Sequence, residues 1–156
     1  MRLWIAAVGR LRPGPELALI DDYRTRVDRA GKPLALGPLT IAEVDDRKGG
    51  GPGAEAALLT RSVPDGAVRV ALDERGKTLS SPDLADAIAR WRDDGARDLA
   101  FFIGGADGLD LGLRQSANAR LSFGPMVWPH MLARVMLTEQ LYRAVSILAG
   151  TPYHRA

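Results

Sequence analysis

The chain has 156 residues, enough for one domain with a sizeable core, and its 46% apolar and 26% charged residues are typical of a globular protein. It contains no cysteine and two histidines, which excludes a disulfide framework, a thiolate zinc site and a cysteine nucleophile. We therefore expect no metal site. No apolar run reaches the length of a membrane span, and the first apolar segment lacks the form of a signal peptide, so we expect a cytoplasmic protein.

Strand and helix patterns alternate along the first half of the chain. A run of three glycines, a proline and a fourth glycine at 49–53 has the composition of a mobile surface loop rather than a domain linker, because the pieces it joins are too short to be domains. The segment 34–44 is interrupted by a Gly-Pro pair, which favours an edge strand. The predicted elements are a strand at 3–8, a helix at 16–29, a strand within 34–44, a helix at 54–62 and a strand at 68–72.

The second half continues the alternation and completes the predicted fold. Ser81 followed by Pro82 predicts a helix start with Ser81 as its N-cap. The predicted elements are a helix from 81 to about 92, a strand at 99–103, a short helix at 111–119, an apolar segment at 121–128 and a long helix at 130–148. Repeated β–α units predict a single α/β domain over residues 1–156, with a mainly parallel sheet flanked by helices on both faces.

The long last helix is apolar around most of its circumference. Such a helix must be buried on more than one side, and in so small a protein a second subunit is a natural partner, which favours a homodimer. Charge points to a further partner. Residues 111–156 hold five arginines and one acid, Glu139, whereas the other 110 residues hold 16 basic and 18 acidic groups. The bias favours an anionic partner at the C-terminal part, although it could also arise by chance.

Two nucleotide-binding motifs can be set aside. Gly76-Lys77-Thr78 resembles the end of a P-loop, but the first glycine of that motif is missing and the next helix starts too late for its amides to cradle phosphate. We interpret it as a tight turn. The first strand ends at Gly9 without the glycine fingerprint of dinucleotide-binding folds.

Three other segments carry candidate chemistry. The string IGGADG at 103–108 follows a strand and either lets a ligand approach the backbone closely or is only a turn. The string LSFGPMVWPH at 121–130 either holds a flat adenine ring or is a buried crossover that begins the helix. The tail TPYHRA either frays or offers a stacking ring, a titratable group and a cation. Arg143 could act on substrate or pair only with Glu139.

Taken in order, the strings AVG, LDERGK, FFIGGADG, LSFGPMVWPHMLARVMLTEQLYRA and PYHRA resemble the ribosomal large-subunit methyltransferase H family of the SPOUT superfamily, over essentially the whole chain. The resemblance implies a C-terminal trefoil knot, a homodimer and bound S-adenosyl-L-methionine (SAM). It implies methylation of N3 of a pseudouridine in 23S ribosomal RNA on the assembled ribosome. Two features depart from the family pattern, the final Ala156 where an acid is common and the extra glycines at 49–53.

The resemblance also assigns site residues. The cofactor residues it implies are Leu72, Gly104, Phe123, Gly124, Pro125, Met126, Val127 and Trp128. The substrate residues it implies are His130, Arg143, Tyr153, His154 and Arg155. The departing N3 proton could be accepted by His130 or His154, or the imide anion could be stabilised by Arg143 or Arg155. The alternatives to this function are methylation of another structured RNA and a non-enzymatic ribosome-associated factor.

Overall fold

The structure is a computed structural model that describes residues 1–45 and 49–155. The terminal Ala156, one of the two departures from the family pattern, lies outside the described residues. In chain order the elements are β1 (Arg2–Val8), α1 (Pro15–Gly31), a 3₁₀ turn (Lys32–Leu34), β2 (Leu39–Val44), α2 (Gly51–Arg61), β3 (Val68–Thr78), α3 (Ser81–Asp93), β4 (Asp98–Ile103), α4 (Leu111–Ser116), β5 (Ala119–Ser122) and α5 (His130–Ala149).

The five strands form one sheet in the order β2-β1-β4-β3-β5, and the four strand pairings are all parallel. The predicted α/β fold with a mainly parallel sheet is therefore confirmed. β2 lies at one edge, as the Gly-Pro pair indicated, and Pro38 precedes the strand rather than interrupting it. The trefoil knot stays a prediction.

Helices cover both faces of the sheet. The apolar residues of its central strands point alternately to the two sides, so each face has an apolar surface that packs against helices. Leu3 and Ile5 of β1 pack in a core cluster with residues of α1, α3 and α5. Ala6 and Val8 of the same strand belong to a second cluster with residues of α2 and α4. All six residues of β4 are buried, as expected for a strand covered on both faces.

The prediction of a turn at Gly76-Lys77-Thr78 was wrong. These residues continue β3, and Lys77 and Thr78 pair with β5 after a register shift that follows Leu72. A Cβ on Gly76 would lie 2.7 Å from the carbonyl carbon of Arg120, so glycine is needed for the two backbones to approach. Gly76 therefore marks a close backbone contact within a bulged strand, and the chain does not turn there.

Three predicted helix boundaries were also wrong. The N-cap of α3 is Ser80, whose hydroxyl accepts a hydrogen bond from the amide of Asp83 at 3.1 Å, while the Ser81 hydroxyl donates instead to Gln140 at 2.7 Å. α2 begins within the glycine run, at Gly51, so only part of that run is a loop. α4 ends at Ser116, because the chain must become extended to enter β5.

The apolar circumference of α5 is covered largely by its own chain. The helix packs against α1, α3 and the sheet, with Leu137, Leu141 and Ala144 completely buried. Its apolar character alone therefore does not require a second subunit. The large apolar side chains that remain exposed at its first turn are Met131 and Leu132, and they follow the exposed Met126, Val127 and Trp128 in the chain. The homodimer stays a prediction.

Candidate active site

A cavity of about 450 Å³ opens where β4 ends and where β3 bulges. Ligands of parallel α/β sheets bind at this end of the strands, and the volume lies within the range of small-molecule sites. Three segments that are distant in sequence form its walls. The lining residues are 72–75 of β3, 103–109 from the last residue of β4 onward, Phe123, Gly124 and 126–128 after β5, and Arg114, His130 and Ala133.

The strand register explains why the three segments meet. Ala71 of β3 pairs with Phe102 of β4, so Leu72 lies level with the start of the glycine string. Leu72 also pairs with Leu121 of β5, two residues before Phe123. β3 therefore lies between the other two segments, and its bulge begins at the point where both of them leave the sheet.

Seven of the eight residues predicted to bind cofactor line this cavity, and Pro125 does not. The seven are Leu72, Gly104, Phe123, Gly124, Met126, Val127 and Trp128. Met126 and Val127 are exposed at the cavity rim, Val127 to 85%. The structure thus brings the three predicted cofactor segments together at one place.

The glycine string folds back on itself as a tight loop. Gly105 and Gly108 form an isolated bridge, in which the Gly108 amide donates to the Gly105 carbonyl at 3.0 Å. A Cβ on Gly104 would lie 2.5 Å from the carbonyl carbon of Gly108, so no other residue fits there without a shift of the backbone. The string therefore forms a turn that also lines the cavity, and the close approach of a ligand to its backbone stays a prediction.

The segment after β5 is fastened to β3 through one hydroxyl. Ser122 Oγ donates to the Glu74 carbonyl at 2.9 Å and accepts from the Gly124 amide at 3.0 Å. The segment is not a buried crossover, since Met126, Val127 and Trp128 are all exposed. An apolar, exposed wall beside a cavity is unusual for a surface with no partner.

Sequence reasoning missed a charged group inside the cavity. Asp73 is only 8% exposed, and its carboxylate lies 3.6 Å from Arg114 and 4.0 Å from Arg120. The string LDERGK contains Asp73, but the resemblance directed attention to Leu72 alone. The pairing could not be found from sequence, because Arg114 is 41 residues away and comes from a different element.

A second charged group was hidden inside α5. Arg134 is completely buried, and it donates to Glu43 at 2.6 Å and to the carbonyl of Gly9 at 3.1 Å. This side chain joins the first turns of α5 to the ends of β1 and β2, next to the cavity wall formed by Ala133. A helix that is apolar on both sides of an arginine gives no local sign that the arginine points inward.

The tail packs onto α5. Tyr153 donates to Glu139 at 2.9 Å, Arg143 donates to the same carboxylate at 2.7 Å, and Arg143 lies 3.3 Å from Nδ1 of His154. Burial and the hydrogen bond to Glu139 raise the pKa of Tyr153, so its phenol stays protonated. The bond to Glu139 also raises the pKa of Arg143. The pairing of Arg143 with Glu139 is thus present, and Arg155 is exposed beyond this cluster.

The predicted substrate residues fall into two separate places. His130 lines the cavity, whereas Arg143, Tyr153 and His154 form the tail cluster. Thirteen residues separate His130 from Arg143 along α5, which corresponds to about 20 Å of helix axis. A single chain therefore does not present all predicted substrate residues to one base.

The arginine excess in the last third is partly neutralised within the chain. Arg114 lies near Asp73, Arg134 pairs with Glu43, and Arg143 pairs with Glu139. Arg120, about half exposed, and the exposed Arg155 remain available to solvent. The charge count from sequence therefore overstates the positive surface that an anionic partner would meet.

Residues 1–45 and 49–155 contain neither a cluster of side chains for a metal ion nor a helix that could cross a membrane. No group of three or more His, Asp or Glu side chains in this part of the chain is arranged to hold a metal ion. In the same ranges, every helix is too short or too polar to cross a membrane.

Comparison with known proteins connects this geometry to a family. A family model described as predicted SPOUT methyltransferase matches residues 1–154. Relatives named ribosomal RNA large subunit methyltransferase H are 68% identical in Dinoroseobacter shibae and 65% identical in Ruegeria pomeroyi, each over 99% of both chains. A probable methylase family protein from Haemophilus influenzae Rd KW20 aligns with 99% of this chain and 70% of its own at a TM-score of 0.55 and 12% identity, which shows the fold alone. The chain belongs to the SPOUT methyltransferase family.

Proposed function

We propose that this protein is a SAM-dependent methyltransferase that methylates N3 of a pseudouridine in 23S ribosomal RNA on the assembled ribosome, in the cytoplasm. The observation that carries the proposal is the convergence of seven implied cofactor residues on one cavity. Relatives that are 68% and 65% identical over 99% of both chains carry the name of a large-subunit ribosomal RNA methyltransferase. The C-terminal trefoil knot that the resemblance implies is part of the same proposal.

The cavity has the chemistry that SAM requires. Leu72, Phe123 and Met126 offer apolar surface for the adenine ring, and the glycine loop leaves backbone amides and carbonyls without side chains in front of them. Bound SAM supplies an electrophilic methyl group. The chain's own task is then to orient that group against the attacking nitrogen and to exclude water.

The imide proton on N3 must leave, and His130 and His154 differ in their ability to accept it. An arginine N–H can only donate, so Nδ1 of His154 must accept from Arg143, which leaves Nε2 of His154 protonated. In this arrangement His154 presents a donor to substrate. His130 lines the cavity and is therefore the residue that we propose as proton acceptor, with Arg143 and Arg155 stabilising the developing negative charge.

The separation of about 20 Å between His130 and Arg143 supports a homodimer. If both groups act on the same base, the tail must come from a second subunit. The exposed apolar side chains of Met126, Val127 and Trp128 at the cavity rim give that subunit a surface to cover.

Methyl transfer tests the function directly. Ribosomes from cells that lack the protein are incubated with labelled SAM and either wild type or Gly104→Trp, whose side chain cannot fit the glycine loop. Gly14→Trp is the matched control, since Gly14 is exposed and a Cβ there meets nothing closer than 3.7 Å. We expect label in large-subunit RNA with wild type and the control only. If SAM binds but no ribosomal substrate takes up label, the ribosomal assignment is wrong.

Mixing two inactive variants tests the shared site. Gly104→Trp disables the cavity, and Arg155→Ala disables the tail. If the tail acts on the cavity of the other subunit, half of the randomly mixed dimers contain one intact site, and roughly a quarter of wild-type activity returns. If the tail serves its own subunit, no mixed dimer has an intact site and activity stays at background.

A further inference from the structure

The carboxylate of Asp73, a residue of the cavity wall, has incompletely satisfied hydrogen-bonding capacity. Its Oδ1 accepts a hydrogen bond from the Arg75 amide at 3.1 Å. Its Oδ2 is buried and has no hydrogen-bond partner among the described residues. Because a buried acceptor without a donor is costly, the observation indicates that a donor arrives from outside the chain.

The neighbouring arginine is incompletely satisfied as well. The Arg114 side chain is 18% exposed and its terminal nitrogen lies 3.6 Å from Asp73 Oδ2, which is longer than a hydrogen bond. Within the described ranges its Nε is buried and unbonded. With Arg120 at 4.0 Å, the charge of Asp73 is already balanced by two guanidinium groups. The carboxylate therefore lacks a hydrogen-bond donor rather than a counter-charge.

A hydroxyl group meets both needs. It donates to Asp73 and accepts from Arg114, whereas an ammonium group can only donate and a carboxylate can only accept. Among the polar groups of SAM, the ribose hydroxyls alone combine the two roles. The adenine amine only donates, the adenine ring nitrogens only accept, and the methionine end carries an ammonium and a carboxylate.

We propose that Asp73 and Arg114 form the subsite for the ribose hydroxyls of the cofactor, an inference that rests on the proposed function. Asp73 follows Leu72 directly and lies within the same cavity wall. RNA also carries a ribose hydroxyl, but Asp73 is only 8% exposed and lies in the wall of the cavity lined by the cofactor segments, so the smaller ligand is favoured. Binding measured without RNA separates the two sources.

The experiment is calorimetric titration of the wild-type protein with S-adenosylhomocysteine and with its 2′-deoxy and 3′-deoxy analogues, in the absence of RNA. A hydrogen bond to a charged group corresponds to about 10- to 100-fold in affinity. We expect at least one deoxy analogue to bind wild type weaker by that factor. Asp73→Asn should weaken the parent ligand similarly while adding little further loss for that analogue.

Two further variants complete the design. Asp73→Glu keeps the charge beside Arg114 but displaces the oxygens, and it should lose the same discrimination, which keeps the proposal testable if the asparagine variant does not fold. Asp86→Asn on the exposed side of α3 makes the same change in net charge and should bind all three ligands as wild type does.

The outcomes are distinct. If wild type binds the parent and both deoxy analogues equally, or if the Asp73 variants weaken all three ligands by one factor, the hydroxyl subsite is refuted and the proposed function stands. If wild type binds S-adenosylhomocysteine not at all, the proposed function fails and this inference fails with it.

Discussion

Replacement of Arg134 by methionine should destabilise the protein more than replacement of any exposed arginine. The guanidinium of Arg134 is 2% exposed and donates to Glu43 at 2.6 Å, to Gly9 at 3.1 Å and to Val8 at 3.4 Å. Methionine fills most of the same volume but supplies no donor. Arg134→Met therefore leaves one carboxylate and two carbonyls without the partner that joins α5 to β1 and β2.

The expected loss of unfolding free energy for Arg134→Met follows from the burial of the ion pair. Removal of one partner from a buried ion pair costs about 3–5 kcal/mol. Glu43 is 29% exposed and can recover water, which places the expected loss near the lower end, at about 3 kcal/mol. For a chain of this length each kcal/mol corresponds to about 2–4 °C, so the Tm should fall by about 6–12 °C.

Urea denaturation at one fixed protein concentration measures this loss, with two comparisons. Arg24→Met is the matched control, since Arg24 is 44% exposed and its pair with Asp21 is a surface contact, and it should change stability by less than about 0.5 kcal/mol. Adding Glu43→Gln to Arg134→Met should recover part of the loss, because the uncompensated charge is removed. A loss below about 1 kcal/mol for Arg134→Met, or no recovery in the double variant, would show that the buried ion pair of Arg134 and Glu43 contributes little to stability.

Two other changes follow from the fold. Burial alone would raise the pKa of Asp98, but hydrogen bonds from Arg2 and Trp4 lower this pKa below its ordinary value of 3.8. Ionised Asp98 therefore stabilises the fold above pH 3.8. This stabilisation is lost as the pH falls from 3.8 through the lowered pKa. Asp98→Asn should therefore lower the Tm at pH 7 and approach wild type in acid. Gly76→Ala should cost about 1–3 kcal/mol in urea denaturation, because its Cβ would lie 2.7 Å from the backbone of Arg120.

Both predictions have a clear contrary result. A Tm difference between wild type and Asp98→Asn that stays constant from pH 7 to pH 3 would show that Asp98 acts through shape rather than charge. Gly53→Ala is the control for Gly76→Ala, since Gly53 lies in α2 and a Cβ there meets nothing closer than 4.0 Å. It should be neutral or stabilising by up to about 1 kcal/mol, and an equal loss for both variants would contradict the close contact at Gly76.

Local patterns predicted the parallel α/β sheet and most of its elements. β1 and β4 contain continuous apolar runs, and α1 and α5 have apolar residues at helical spacing. These patterns extend over nearly the whole of each element, so the type of each element could be predicted. The error in the type of an element fell where a distant contact decides the backbone. Gly76 has the sequence of a turn, yet pairing with β5 keeps its neighbours extended.

The site was predictable in its composition but not in its arrangement. The cofactor segments were named from a resemblance, and their meeting at one cavity depends on strand order, which a single sequence does not encode locally. The substrate residues were named together, but α5 holds His130 and Arg143 far apart. Asp73 and Arg134 were missed because their partners, Arg114 and Glu43, lie on other elements.

The proposed function requires that this chain places a methyl group on N3 of one pseudouridine of the large ribosomal subunit. The most direct measurement is mass spectrometry of nucleosides from large-subunit RNA, prepared from cells that lack the protein and from the same cells supplied with wild type or Gly104→Trp. We predict one N3-methylated pseudouridine that is present with wild type and absent in the other two samples. A methyl group on a different base or on a ribose, or the same methylated pseudouridine in cells that lack the protein, would contradict the proposed function.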